Sequence, residues 1–321
     1  MQHEYNKNLL AEFDIATQDL QRENNRFFHI GNDIFLWKNN DQTIKKYDLI
    51  INCCTHGNEV IGLCIVNNLL KHIKHHTINT NLNIVFSLGN REAVLVNKRF
   101  VEKDLNRSFS KTSSVLSREE KRAQELENMA KDATAILDIH QTTSDSMSPF
   151  FVMKEIPYNY NFFEILDINI WPMILYKEGK FSKDGEAYSS FAMHNQIPFI
   201  TIELGLSGPN NELEKYFFLK IKELLEKYKS NVWQSLFTKT DWKKPSIPCY
   251  REYRNIERLS DDDYLIDGLK NLSLIEQNTI YAYQNTIALK ESSDVYALFP
   301  KYGIFRKTSS ELVRLLKKGC F

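Results

Sequence analysis

YDLIINCCTHGNEVIGLCIVNNLLKHI, residues 47–73, changes its hydrophobic period at its centre. From Tyr47 to Cys54 the run is apolar and reads as a strand covered on both faces. It stops at Thr55-His56-Gly57-Asn58, a polar, glycine-containing turn. Beyond it Val60, Leu63, Cys64, Asn67, Leu70 and Ile73 recur at spacings of three and four, the pattern of a helix.

The same alternation continues outward. NKNLLAEFDIATQDLQREN, near the start, reads as a polar helix, and FFHIGNDIFLWKN as two strand pieces around a Gly-Asn turn. LNIVFSLGN (82–90) is a second buried strand, followed by a charged, irregular stretch from Arg91 to about Ser117. Ser117 and Glu120 form a capping box that opens a helix reaching about Lys131. ATAILDIH (133–140), PFFVM (149–153), PMILY (172–176) and PFITIEL (198–204) read as strands, and residues 210–233 as a helix. Strands alternating with helices imply a mostly parallel sheet flanked by helices on both faces. After Lys244 the texture changes: KKPSIP is a break, and CYREYRNI, TIYAYQN, TIALK and DVYALFP are short β-type pieces. The expected division is an α/β domain over 1–244 and a smaller β-rich domain over 245–321.

The bulk composition excludes several classes of partner. The 321 residues are 42% apolar and 26% charged, ordinary for a soluble domain. Lys plus Arg equals Asp plus Glu at 41 each, so no overall field favours nucleic acid or an anionic membrane. A small anionic substrate stays compatible, because a pocket needs only a few local cations. The N-terminus has no apolar run of a secretory signal, and stretches such as Val60 to Val66 are too short to span a bilayer. Five cysteines, Cys53, Cys54, Cys64, Cys249 and Cys320, suggest reduced thiols in a cytoplasm. The adjacent pair Cys53-Cys54 lacks the spacing of a thiolate metal site.

The chemistry-bearing residues collect at strand ends. His56 and Glu59 follow one buried strand, His140 ends another and Glu203 ends a third. Ligands of open α/β sheets bind beyond the carboxyl ends of strands, so these groups are expected to converge. Imidazole nitrogen and carboxylate oxygen are zinc ligands. A His₂Glu set leaves one tetrahedral position for water, the mark of a catalytic site. His-x-x-Glu alone also arises by chance on loops. Asp138, on the same side of the strand as His140, is placed to accept a hydrogen bond from a ligand histidine; a structural Asp–His pair would have the same spacing. A carboxylate such as Glu203 at the end of an apolar strand is costly to bury unless it serves a purpose there. That purpose would be general base toward water and then general acid toward a leaving nitrogen, as against an exposed strand-end glutamate. In KRFVEKDLNRSF (98–109), Arg99 or Arg107 would pair with a substrate carboxylate or stabilise an oxyanion, unless the stretch is a solvated loop.

Taken in order, HGNE (56–59), GNREA (89–93), KRF (98–100), DLNRSF (104–109), DIH (138–140) and ELG (203–205) resemble the succinylglutamate desuccinylase/aspartoacylase family of the zinc carboxypeptidase superfamily. The likeness covers nearly the whole chain, and VYALFP (295–300) resembles the family's C-terminal β domain. The resemblance implies a carboxypeptidase-type mixed, mostly parallel sheet with a β domain partly covering the site. It implies one Zn²⁺ per chain, bound by His56, Glu59 and His140, with Glu203 as base and acid. Arg99 would polarise the scissile carbonyl, Asn106 and Arg107 would bind a substrate carboxylate, and Asp104 would brace their loop. Members hydrolyse N-acyl amino acids to a carboxylate and a free amino acid, and often form homo-oligomers. The family often carries an arginine upstream of the catalytic glutamate; Met193 stands there, with His194, Lys180 or Lys183 as substitutes. Tyr302 is the counterpart of a C-terminal tyrosine used by some members. Competing readings are a zinc carboxypeptidase acting on peptides and a catalytically silent zinc-binding relative.

Overall fold

The computed structural model describes residues 2–39, 46–111, 113–176, 186–237, 247–303 and 310–319. Helix α1 (Gln2–Glu23) is polar overall but buries Leu9, Leu10, Phe13 and Leu20 along one side. Strands β1 (Phe27–Gly31) and β2 (Ile34–Trp37) form the hairpin signalled by Gly31-Asn32. Then come β3 (Leu49–Cys53), α2 (Ile61–Lys74) and β4 (Ile84–Leu88), each where its period places it. The charged stretch after β4 is more ordered than its sequence suggests. Asn90 caps a short helix α3 (Arg91–Leu95) by accepting from the Ala93 N–H, and Leu105–Arg107 makes one 3₁₀ turn. The Ser117/Glu120 capping box opens α4 (Arg118–Ala130).

Strand β5 (Ile136–Thr142), β6 (Phe150–Lys154), α5 (Pro157–Leu166), β7 (Met173–Tyr176), α6 (Tyr188–His194) and β8 (Phe199–Leu206) follow. The helix expected over 210–233 is two: α7 (Asn211–Lys227) and α8 (Ser230–Leu236), separated by extended backbone at Tyr228 and Lys229. Helices α5 and α6 have no polar stripe to give a 3.6 period, because most of their residues are buried. The last strands are β9 (Cys249–Glu257), β10 (Tyr264–Leu265), β11 (Leu274–Ile275), β12 (Ala282–Gln284), β13 (Ile287–Leu289), β14 (Val295–Leu298) and β15 (Glu311–Lys318).

Among the described residues one 12-stranded sheet runs in the order β1-β2-β4-β3-β5-β8-β6-β7-β9-β15-β14-β11. Its centre, β4-β3-β5-β8, is parallel, while β6 is antiparallel to β8. The strand periodicity splits the core into two layers: Leu49, Ile51 and Cys53 pack on the α1/α2/α7 side, and Ile50 and Ile136 on the α4/α6 side. Strands β10, β12 and β13 form a separate small sheet. The expected boundary at Lys244 lies outside the described residues. Across it the large sheet is continuous, because β7 pairs in parallel with β9.

One expectation is corrected: the cysteines are not all free thiols. Cys53, Cys54 and Cys64 are free and buried, but Cys249 is disulfide-bonded. Cys320 lies outside the described residues. Among the described residues no helix is long and apolar enough to cross a membrane.

Candidate metal centre and active site

The centre is built on the loop that leaves β3. Cys54 turns the chain with a φ of 54°, and Glu59 N–H closes the turn onto the His56 carbonyl at 3.1 Å. Gly57 is there because nothing larger fits: a Cβ on it would lie 2.0 Å from the Ala93 carbonyl carbon of α3. The close approach of α3 also lets Gly57 N–H reach the Arg99 carbonyl at 3.1 Å, tying the two motifs together.

Three ligand-type atoms from His56, Glu59 and His140, all buried, lie within 4.8 Å of one another. His140 Nδ1 is 2.9 Å from Glu59 Oε2, and His56 Nδ1 is 2.8 Å from Glu59 Oε1. His56 Nδ1 is nonetheless without a hydrogen bond. Close approach without alignment is what ligand atoms aimed at a common point show. The far nitrogens are tied separately: His56 Nε2 to Asp104 Oδ1 at 3.0 Å, and His140 Nε2 to Asp138 Oδ2 at 2.8 Å. Two imidazoles backed by carboxylates around a third carboxylate form a donor set into which a divalent cation fits.

Asp138 is itself held by a row of polar groups inside the sheet. Asn52 Nδ2 donates to Asp138 Oδ1 at 2.7 Å, and Ser87 Oγ donates to Asn52 Oδ1 at 2.7 Å. Thr55 Oγ1 reaches Asp138 Oδ1 at 3.2 Å. The row follows from register: Asn52 pairs with both Ser87 and Asp138 across the parallel strands. Asn52, Thr55 and Ser87 were missed from sequence. For Asn52 and Ser87 the signal was a single polar residue in an otherwise apolar strand.

Glu203 is brought to the cluster by the sheet. It pairs with His140 in the β5–β8 ladder and with Phe150 in the β6–β8 ladder. Its Oε2 is buried and without a hydrogen bond. Burial raises the Glu203 carboxyl to about 7, with Glu59 pushing the same way and His140 opposing. Burial alone would also raise Glu59 and Asp104. For Glu59 the charges of His56 and His140 outweigh it, and for Asp104 those of Arg99 and His56 do, so both are held below the usual carboxylate range.

Arg99 joins the two carboxylates, with Nη1 3.2 Å from Glu59 Oε1 and Nε 3.1 Å from Asp104 Oδ2. Asp104 also caps the 3₁₀ turn by accepting from Asn106 N–H at 2.9 Å. Asn106 Oδ1 accepts from Tyr188 N–H at 3.0 Å, which leaves its NH₂ as a donor. Arg107 stands in the same electrostatic neighbourhood as Asp104, Arg99, Arg314 and Glu311. Two nominated residues are engaged elsewhere. His194 Nδ1 is half exposed at the end of α6, 3.2 Å from Glu186. The Tyr302 hydroxyl donates to the Ile266 carbonyl at 2.9 Å and accepts from Leu269 N–H at 3.0 Å. Lys180 and Lys183 lie outside the described residues. Gln141 was missed: its backbone N–H donates to Glu59 Oε2 at 3.1 Å, and its side chain accepts from Ile61 N–H at 3.1 Å.

A family model for the succinylglutamate desuccinylase/aspartoacylase catalytic domain matches residues 45–226. A succinylglutamate desuccinylase of Shewanella woodyi is 24% identical over 277 residues, covering 79% of this chain and 77% of that one. A probable aspartoacylase of Acaryochloris marina is 33% identical over 113 residues, covering 33% of this chain and 38% of that one. Among solved structures, a succinylglutamate desuccinylase from Vibrio parahaemolyticus superposes with a TM-score of 0.70 at 19% identity, covering 89% of this chain and 86% of that one. Murine aminoacylase 3 does so with 0.64 at 16% identity, covering 87% and 97%. At such identities the structural likeness speaks for the fold. Because the sequence match runs from the strand before His56 to the helix after Glu203, the chain belongs to the succinylglutamate desuccinylase/aspartoacylase family of hydrolases.

Proposed function

We propose that this protein is a zinc-dependent deacylase that hydrolyses the amide bond of an anionic N-acyl amino acid. The observation that carries the reading is the convergence of His56, Glu59 and His140 beside a buried Glu203 with an unpaired oxygen. His₂Glu is a zinc donor set of the catalytic type, and a zinc ion held there supplies Lewis-acid chemistry, acidifying water and polarising a carbonyl.

The remaining work falls to the chain's own residues. Glu203 takes a proton as water oxygen bonds to the amide carbon. It returns that proton to nitrogen as the carbon–nitrogen bond breaks. A carboxyl poised near neutrality suits both directions of transfer. Arg99 is partly buried and paired with Asp104 and Glu59, which favour its charged form, and it stabilises the oxyanion. A donor of this kind is typically worth ~3–4 kcal/mol in the transition state. The Asn106 NH₂ and Arg107 bind the amino-acid carboxylate, with Asp104 and the 3₁₀ turn fixing their loop. Asp138 and Asp104 hold the tautomer and ring orientation of the two histidines. We give His194 and Tyr302 no part, because His194 lies half exposed against Glu186 and the Tyr302 hydroxyl is bonded to Ile266 and Leu269.

The test pairs metal analysis with a substrate panel. About one zinc per chain is expected in wild type, and a folded His140→Ala protein should lose it. Zinc-loaded wild type should release amino acid from N-acyl amino acids but not from peptides. Peptide cleavage instead would favour a carboxypeptidase. Zinc binding with no turnover of either class would favour a silent relative.

A further inference from the structure

We propose that Gln141 is the positioning residue that holds Glu203 in place beside the metal centre, by clamping the bulged end of β8 to the loop that carries Glu59. The inference deepens the deacylase reading and rests on it.

The need for a clamp arises in the strand register. Strands β5 and β8 pair at His140↔Glu203 and next at Thr142↔Leu206, so Leu204 and Gly205 lie opposite the single Gln141. Gly205, with a φ of 77°, takes the left-handed conformation that such a bulge uses. A bulge re-aims the side chain beside it and interrupts the ladder, which puts Glu203 at a loosened strand end. Beyond the bulge Ser207 N–H returns to the Thr142 carbonyl at 2.8 Å.

Gln141 closes the gap from across the bulge. Strand alternation turns its side chain to the face opposite that of His140, toward the start of α2. There Nε2 donates to the Leu206 and Gly208 carbonyls, each at 2.8 Å. Oε1 accepts from Ile61 N–H at 3.1 Å and from Gly208 N–H at 3.4 Å. Helix α2 has no capping side chain of its own at Val60, so Gln141 supplies from β5 an acceptor for its first turn. Both donors and the acceptor oxygen of this buried amide are engaged. Turning the amide over would set oxygen against two carbonyls, so one orientation is fixed. The backbone holds the other side: Gln141 N–H donates to Glu59 Oε2 at 3.1 Å.

One residue thus joins the loop 56–61, the strand of His140 and the strand end of Glu203. Packing alone does not call for an amide here, because an apolar side chain would fill the space with no polar groups to satisfy. The metal ligands have supports that do not involve the Gln141 side chain: Asp104 for His56, Asp138 for His140 and the Gln141 backbone for Glu59. Losing that side chain therefore frees the base and leaves the ligand set standing.

The test uses the full chain as wild type, Gln141→Met, Gln141→Glu, Glu203→Gln and the double variant Gln141→Met/Glu203→Gln. Three quantities are read: thermal melting without metal, zinc affinity by chelator competition, and calorimetric binding of acetohydroxamate to the zinc-loaded protein. Acetohydroxamate reports on the base without turnover, since its oxygens need a metal and its proton needs a carboxylate close by. The Met variant removes the clamp without adding charge, and the Glu variant keeps the shape but sets a carboxylate against two carbonyls. Both should keep zinc affinity within about threefold and bind acetohydroxamate at least about tenfold more weakly, as Glu203→Gln does. The double variant should bind no more weakly than Glu203→Gln alone, because Gln141 acts through that residue. Unchanged acetohydroxamate binding in Gln141→Met overturns the proposal. So do additive losses in the double variant, a zinc affinity that falls as far as the hydroxamate affinity, or a Gln141→Met chain that cannot fold. The expected pattern in a protein that hydrolyses no N-acyl amino acid keeps the clamp and discards the deacylase reading. Hydrolysis by a protein whose hydroxamate binding ignores Gln141 discards the clamp alone.

Discussion

His140 stands between two carboxylates, Glu59 at 2.9 Å and Asp138 at 2.8 Å, each on a different ring nitrogen. Burial alone would lower its pKa, but Asp138 and Glu59 together raise it well above the ordinary imidazole value. Asp138→Asn should therefore weaken zinc binding by about 10–100-fold, measured by competition with a chelator; an unchanged affinity would reduce Asp138 to a filler of the sheet. Glu203 gives a second prediction, for the metal-free protein. Its folded value of about 7 lies above the ordinary 4.5. The folded state then binds the proton more tightly than the unfolded chain does. The contribution to stability is complete below 4.5 and is lost as pH rises through about 7. In melts of metal-free protein, Glu203→Gln should lose less stability than wild type across that window. Parallel pH profiles for the two proteins would rule out this origin.

At the scale of elements, the catalytic loop depends on a helix that never enters the site. Ser117 Oγ accepts from Glu120 N–H at 3.3 Å, and Glu120 Oε2 accepts from Ser117 N–H at 2.8 Å, closing the capping box of α4. The neighbouring Glu119 turns back to accept from Val101 N–H at 2.7 Å and Lys103 N–H at 3.2 Å. Those bonds set the path of the chain between Arg99 and Asp104. Ser117→Ala should cost about 1 kcal/mol, read from urea unfolding midpoints. No shift in the midpoint would mean that packing alone places α4. The capping box was legible in sequence because its two partners are three residues apart. Helix α3 was not, because only Asn90 and the docking of Gly57 mark its place.

At the scale of the whole molecule, we propose that the two regions divide the work of the site. Residues 1–244 carry the metal ligands, and 245–321 would partly cover the site. The division does not follow a gap in the sheet. Strand β7 is wholly buried and pairs with β9 through Met173↔Cys249, Ile174↔Tyr250 and Leu175↔Arg251. A chain ending after residue 237 would expose β7 as an apolar edge, which invites association with other chains. Such a truncation should be recovered as aggregate in size-exclusion chromatography. A monodisperse soluble product would show that the first region closes its own sheet.

The sequence alone determined the order of the central strands' chemistry. A buried strand is an unbroken apolar run, so a histidine or glutamate at its end stands out, and His56, Glu59, His140 and Glu203 were all found that way. The capping box and the β1–β2 turn were equally local and equally readable. Tertiary structure decided what depends on neighbours distant in sequence. Asn52 and Ser87 gain their part only because strand register lines them up behind Asp138. Gln141 holds Glu59 through its backbone N–H only because β5 runs beside the loop that leaves β3. Such placements are set by register and by packing between distant segments, and no spacing within one segment encodes them.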